Sequence, residues 1–217
     1  MITLFIDSSR KDLSVALFNL DEVIYVSTVS SYFKHSNYLM SEIIASLNEN
    51  NLNINDINNI IVLNGPGSFT GVRVGVTVSK TLAWALNKKI YFLTTLKALS
   101  LQLKTNNIII SIISDKANSG YIGIYENDKK ICEEYLTIND IKYEFKNKKI
   151  DIICYEEDEF VKSVYALLSI KNNVLINCID NYNYLDVVNY ALNLESVNPH
   201  LVKPVYLKKI DAEKKML

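Results

Sequence analysis

The sequence predicts an α/β chain built as two related lobes, and three observations predict it. Apolar, strand-like runs occur three times before residue 30, with turn residues between them. The hydrophobic period then becomes helical, and helices alternate with short apolar runs. The same order, strands first and then alternating helix and strand, returns after Asn106. The lobes are placed at 1–104 and 105–217. With 217 residues, 49% of them hydrophobic, the chain can bury a substantial core.

The elements follow in order. "ITLFID" (2–7) is a buried strand ended by Asp-Ser-Ser. "LSVALFN" (13–19) and "VIYVSTV" (23–29) complete an antiparallel meander around a turn at Asn19–Glu22. In "SNYLMSEIIASLNEN" (36–50), Leu39, Ile43 and Leu47 share one helical face, flanked by Met40 and Ile44. A short helical turn at 53–57 leads to a strand at 60–63. A glycine-rich loop opens a helix over about 70–86; a strand (89–93) and a helix (95–103) follow. The second lobe offers strands at 108–113, 121–127, 131–137 and 149–155, a helix at 156–170, a strand at 174–178 and a helix at 183–195.

Composition excludes several classes. The formal net charge is -1, which is not the strongly basic balance of an autonomous RNA binder. Cys132, Cys154 and Cys178 are odd in number and lack CxxC spacing, so they read as reduced thiols in an intracellular protein. The N-terminus carries no signal-peptide pattern. No apolar run approaches the roughly 20 residues that span a bilayer. A cytoplasmic protein without a membrane partner is expected.

"LNGPGSFTGVRVG" (63–75) is the most informative stretch. It fails the P-loop template, because no glycine pair has that spacing before a lysine. It fails the dinucleotide fingerprint, because Gly65, Gly67 and Gly71 leave one residue too many. A looser nest of N–H groups from Gly67 to Gly71 stays open. Pro66 helps to set the loop, and Ser68 or Thr70 can cap the helix. Gly71, Gly75, Ser79 and Ala83 recur every four residues, with Val72, Val76 and Leu86 as an opposing core face. Glycine inside a helix costs about 1 kcal/mol relative to alanine, so something must approach closely. That neighbour is either this chain or a partner subunit. Arg73 can meet an acidic partner or a phosphate, or remain solvated.

"GPGSFTGVRVG" (65–75) resembles the glycine motif of the bacterial TsaB (YeaZ) family. "LFIDSSRKDLSVALFN" (4–19) is similar to that family's first hairpin, "KHSNYLMSEI" (34–43) to its His-Ser-x-x-Leu helix start, and "PVYLKK" (204–209) to its terminal Pro-x-Tyr-Leu-Arg pattern. The resemblance implies an actin-like/sugar-kinase/heat-shock ATPase (ASKHA) fold with mixed sheets flanked by helices. It implies a noncatalytic, dimerising subunit of the complex that forms N6-threonylcarbamoyladenosine beside the tRNA anticodon. The implied partners are the catalytic paralogue TsaD and the ATPase TsaE. ATP is used by the complex, no cofactor is required by this chain, and tRNA is reached through the complex. One departure stands out. The family's Asp-Ala-Arg-x-x-Glu-Val-Tyr-like segment is represented here by "SDKANSGYIGIY" (114–125), where Asp115 can match but the Arg and Glu do not follow.

On this resemblance the partner face is expected on two helices, through Leu39, Met40, Ile43, Ile44, Leu47, Gly71, Gly75, Ser79 and Ala83. A homodimer through the same face is expected when the partner is absent. No catalytic residue and no metal ligand is expected. His35 and His200, the 2 histidines, lie far apart without metal-ligand spacing. No cysteine or serine nucleophile has a histidine base placed beside it by the sequence. The alternative is a small ATP-binding phosphotransferase of the same fold, with Asp7, Ser8, Gly67 and Ser68 as cofactor candidates. Against it, the first turn "DSSRKDLS" lacks the glycine that lets backbone approach phosphate, and Asp7 can simply cap that turn. A generic interaction domain unrelated to tRNA is the third class.

Overall fold

The computed structural model describes residues 1–30, 34–143 and 145–208. It divides into two compact units, one of Met1–Thr95 with Asn183–Val205, the other of Leu96–Tyr182 with the segment from Tyr206.

In the first unit, β1 (Ile2–Asp7), β2 (Leu13–Asn19) and β3 (Glu22–Val29) form the antiparallel meander. Helix α1 (His35–Glu49) precedes β4 (Ile57–Leu63), which pairs parallel to β1. Helix α2 (Phe69–Ala85) precedes β5 (Lys89–Leu93), parallel to β4. The sheet order is β3-β2-β1-β4-β5. Leu4, Phe5 and Ile6 are all fully buried, because both faces of the sheet are covered, and this is why β1 has no polar alternation. On one face, Leu4, Ile6, Val15, Ile60 and Val62 join Leu39, Ile43 and Leu47 of α1 and Val72, Val76 and Ala83 of α2 in one core.

In the second unit, α3 (Thr95–Ser100) is followed by β6 (Ile108–Lys116), β7 (Ser119–Glu126), β8 (Lys129–Thr137) and β9 (Lys149–Cys154). Helix α4 (Glu159–Ser169) and β10 (Asn173–Cys178) complete it. Its order, β10-β9-β6-β7-β8, is the first sheet's pattern counted from the opposite edge: an antiparallel meander extended by two parallel strands. Phe160, Val161, Val164 and Leu168 of α4 lie against Ile110, Ile152 and Ile124. The duplicated five-stranded mixed sheet with flanking helices is the fold class that the family resemblance implies. Among the described residues no helix is long and apolar enough to cross a membrane.

The division differs from the expected one at residue 104/105, for a packing reason. Leu96 and Leu99 of α3 join Ile109, Tyr125 and Ile153 of the second unit. Conversely α5 (Tyr184–Leu192) belongs to the first unit, where Tyr184 meets the Phe5 ring edge-on at 5.5 Å. Each repeat therefore gives its last helix to the other unit. Smaller differences occur at element ends. β4 starts at Ile57 because Asn58 and Asn59 are strand residues: Asn58 Oδ1 accepts from Ile2 N at 2.7 Å, and buried Asn59 donates to Thr3 Oγ1 at 3.3 Å. α4 starts at Glu159, after Asp158 caps it by accepting from Val161 N at 3.0 Å.

Ile43 and Ile44 separate core from surface within one helix. Ile43 is 0% exposed and Ile44 49%. Ile43→Ala is expected to cost about 2–5 kcal/mol of unfolding free energy, and Ile44→Ala no more than about 0.5 kcal/mol. Denaturant titration of the two variants measures both.

Candidate functional site

The glycine loop leaves the carboxyl end of β4 and is fastened on several sides. Asn64 N donates to Leu93 O at 2.9 Å, and Thr95 N to Gly65 O at 2.8 Å. The segment 203–205 closes over it, with Val205 N donating to Asn64 O at 2.8 Å and Asn64 Nδ2 to Lys203 O at 2.9 Å. The Gly65–Pro66 peptide is cis. Ser68 is the α2 cap, its Oγ accepting from Gly71 N at 3.2 Å. This selects Ser68 over Thr70.

The turn after β1 locks into this loop. Ser9 O accepts from Ser68 N at 2.6 Å, and Ser8 Oγ donates to Gly71 O at 2.8 Å. A Cβ at Gly67 would collide with Ser9 O, at Gly71 with Ser8 O, and at Gly75 with Ser8 Oγ. The glycines thus let one backbone cross another. Two donors of the Gly67–Gly71 nest have acceptors within the chain: Ser68 N donates to Ser9 O and Gly71 N to Ser68 Oγ, and next along α2 Val72 N donates to Ser68 O.

Asp7 caps its own turn. Its Oδ1 accepts from Ser9 N at 2.8 Å and Ser9 Oγ at 2.6 Å, whereas Oδ2 is buried without a hydrogen-bond partner among the described residues. Burial pushes its carboxyl above the usual range, opposed by the Ser9 hydrogen bonds and by the charges of Arg10 and His35. His35 is buried at the start of α1, with Nε2 2.9 Å from Arg10 O. His200 is exposed, its ring 6.3 Å from that of Trp84. Among the described residues no three or more His, Cys, Asp or Glu side chains gather as a metal site.

The expected partner face needs correction. Gly71, Gly75, Ser79 and Ala83 are all buried within the first unit, as are Leu39, Ile43 and Leu47. Gly71 and Gly75 of the stripe make room for this chain's own β1 turn, and Ala83 joins the core. At 3.6 residues per turn, Gly75 and Val72 lie only about 60° apart, so stripe and valines form one wide inner face rather than two opposed ones. Of the nine expected residues, Met40 and Ile44 remain exposed. α1 packs beside α2, whose outer face carries Arg73, Thr77, Thr81 and Trp84. Trp84 is 64% exposed, and Phe69 at the helix start is exposed with the Arg73 guanidinium 3.7 Å from its ring centre. Helical spacing could have found Trp84, the chain's 1 tryptophan, since it lies opposite the glycines.

In the second unit, Asp115 holds the chain's tail. Its Oδ2 accepts from Lys208 Nζ at 2.6 Å and Tyr135 OH at 2.8 Å. Burial pushes Asp115 up, but these two hydrogen bonds outweigh it and leave the carboxyl below its usual range. The bond to Asp115 raises Lys208 to about 12. Lys208 lies in the matched terminal motif; Lys209 is outside the described residues.

The family model described as "TsaD: tRNA N6-adenosine threonylcarbamoyltransferase" matches residues 30–169. The tRNA threonylcarbamoyladenosine biosynthesis protein TsaB of Bacillus subtilis is 27% identical over 227 residues, covering 100% of this chain and 98% of that protein. The TsaB of Buchnera aphidicola from Acyrthosiphon pisum is 25% identical over 215 residues, covering 85% and 97%. A Pseudomonas aeruginosa crystal structure, described as an uncharacterized protein similar to peptidase YEAZ, superposes with a TM-score of 0.75 at 19% identity, covering 95% of this chain and 99% of that one. At that identity the structural likeness establishes the fold.

Two outcomes test this geometry. Gly75→Ala forces Cβ onto Ser8 Oγ and is expected to destabilise by about 1–3 kcal/mol, despite alanine's better helix propensity. Combining it with Ser8→Ala relieves the clash, so in a double-mutant denaturation cycle the pair loses less than the sum of the singles. For Asp7, a folded-state pKa raised above 3.8 gives stability that is full below 3.8 and lost as pH rises through the folded value. The charged side chain is therefore a cost at neutral pH. Asp7→Asn is expected to melt higher than the parent at about pH 7, with the gap closing toward about pH 4 in thermal scans.

Proposed function

The chain belongs to the family of TsaD, tRNA N6-adenosine threonylcarbamoyltransferase, and within it to the TsaB (YeaZ) proteins; from that premise we propose that it serves tRNA threonylcarbamoyladenosine formation as a noncatalytic subunit. It docks the catalytic paralogue TsaD through the outer faces of α1 and α2. The observation that carries this reading is the exposure of Met40, Ile44, Phe69 and Trp84 on two neighbouring helices whose inner faces are fully used. Large apolar side chains grouped at a surface mark interaction sites, and tryptophan is enriched among the residues that dominate binding energy.

Two helices of the paralogue would complete a four-helix packing. The ATPase TsaE joins the pair, ATP is consumed by the complex, and tRNA is reached through it. A homodimer uses the same face when the paralogue is absent. The phosphotransferase reading has weaker support, because two of the loop donors that would meet a phosphate, Ser68 N and Gly71 N, already have acceptors within the chain.

Ile44→Asp and Trp84→Asp are expected to weaken binding to the catalytic paralogue by at least about tenfold each, or about 1.4 kcal/mol. Circular dichroism should be unchanged, since both positions are exposed. The readouts are titration calorimetry and tRNA modification by the reconstituted complex. Unchanged affinity in folded variants would remove this face from the interface.

A further inference from the structure

We infer that Cys154 and Cys178 form a dithiol site that takes small aliphatic disulfides, with Cys178 as the entry thiol and Cys154 as the resolving thiol. The site lies in the second unit and is independent of the helices proposed to dock the paralogue. Cys154 and Cys178 are separated by 24 positions in sequence but stand directly opposite each other on parallel β9 and β10. Their Sγ atoms are 3.5 Å apart. Neighbouring strands lie about 4.8 Å apart, inside the roughly 4.4–6.8 Å Cα separation that a disulfide spans. Among the described residues β10 is the edge of its sheet, paired on one side only, so it can give when the sulfurs close. Cys132 lies on β8, at the opposite edge, and is not part of the pair.

The two thiols differ in a way that assigns their order. Cys178 is exposed and can be reached by a reagent, whereas Cys154 is buried. Burial, then the neighbouring Cys178, and then the charges of Asp158 and Glu157 push the Cys154 thiol up. The same carboxylates favour a cationic disulfide as the probe.

In the first step Cys178, as its thiolate, attacks one sulfur of R–S–S–R. A Cys178–S–S–R bond forms, and R–S⁻ leaves and takes up a proton. Cys154 then gives its proton to solvent, and its sulfur attacks Cys178 Sγ and expels the second R–S⁻, which is protonated in turn. Two protein thiols and one small disulfide become one protein disulfide and two small thiols. The protein pair loses two electrons and the small disulfide gains them.

The test treats the folded full chain with cystamine and reads intact mass and disulfide-linked peptides after alkylation. The parent and Cys132→Ser are expected to lose two hydrogens, with Cys154 joined to Cys178. Cys154→Ser should stop with one cysteamine on Cys178. In Cys178→Ser, modification of Cys154 should be at least about tenfold slower than reaction of the parent pair, since the buried thiol is out of reach. In denaturant, Cys132 should compete for pairing. A persistent mixed disulfide in the folded parent would overturn the inference. So would the same pairing pattern in folded and denatured chains, which would remove the geometry as its cause.

Discussion

The crossing of the β1 turn over the start of α2 is the contact on which the first unit depends. Ser8 fits where Gly71 and Gly75 leave no Cβ, and its hydroxyl donates to the Gly71 carbonyl. That contact seats α2 on the sheet and brings its cap, Ser68, under the Ser9 carbonyl. With α2 seated, Val72, Val76 and Ala83 reach the core that α1 shares. The outward directions of Met40, Ile44 and Trp84 then follow from helix periodicity. A change as small as one methyl group at Gly75 is therefore felt across the proposed docking face.

The architecture was legible because local patterns and tertiary packing agree over most of the chain. Period-two and continuous apolar runs located the strands, and the 3.6-residue period located the helices. The exceptions are informative. Asn58 and Asn59 hid the start of β4, because their side chains find partners only when β1 lies alongside. The exchange of α3 and α5 between units also left no local mark. An amphipathic helix declares that it buries a face, not which sheet it buries it against.

The site was legible in part, for the same reason. The four-residue recurrence of Gly71, Gly75, Ser79 and Ala83 signals close approach but not the identity of the neighbour. For the two glycines the neighbour is Ser8, supplied by a turn 63 positions earlier than Gly71. Assigning the stripe and, with it, Leu39, Ile43 and Leu47 of α1 to a partner therefore puts seven buried residues on an outer face and passes over Phe69 and Trp84. The adjacency of the two thiols has no sequence signature, because their pairing needs the β9–β10 register, which no spacing in the sequence encodes.

The central claim is that the outer faces of α1 and α2 receive the catalytic paralogue. Site-specific photo-crosslinking tests it most directly, with the reactive group placed at position 44 or 84 and, as a control, at exposed Leu175 on β10. The account predicts crosslinks to the paralogue from 44 and 84 and none from 175. Crosslinks from 175 alone would contradict it.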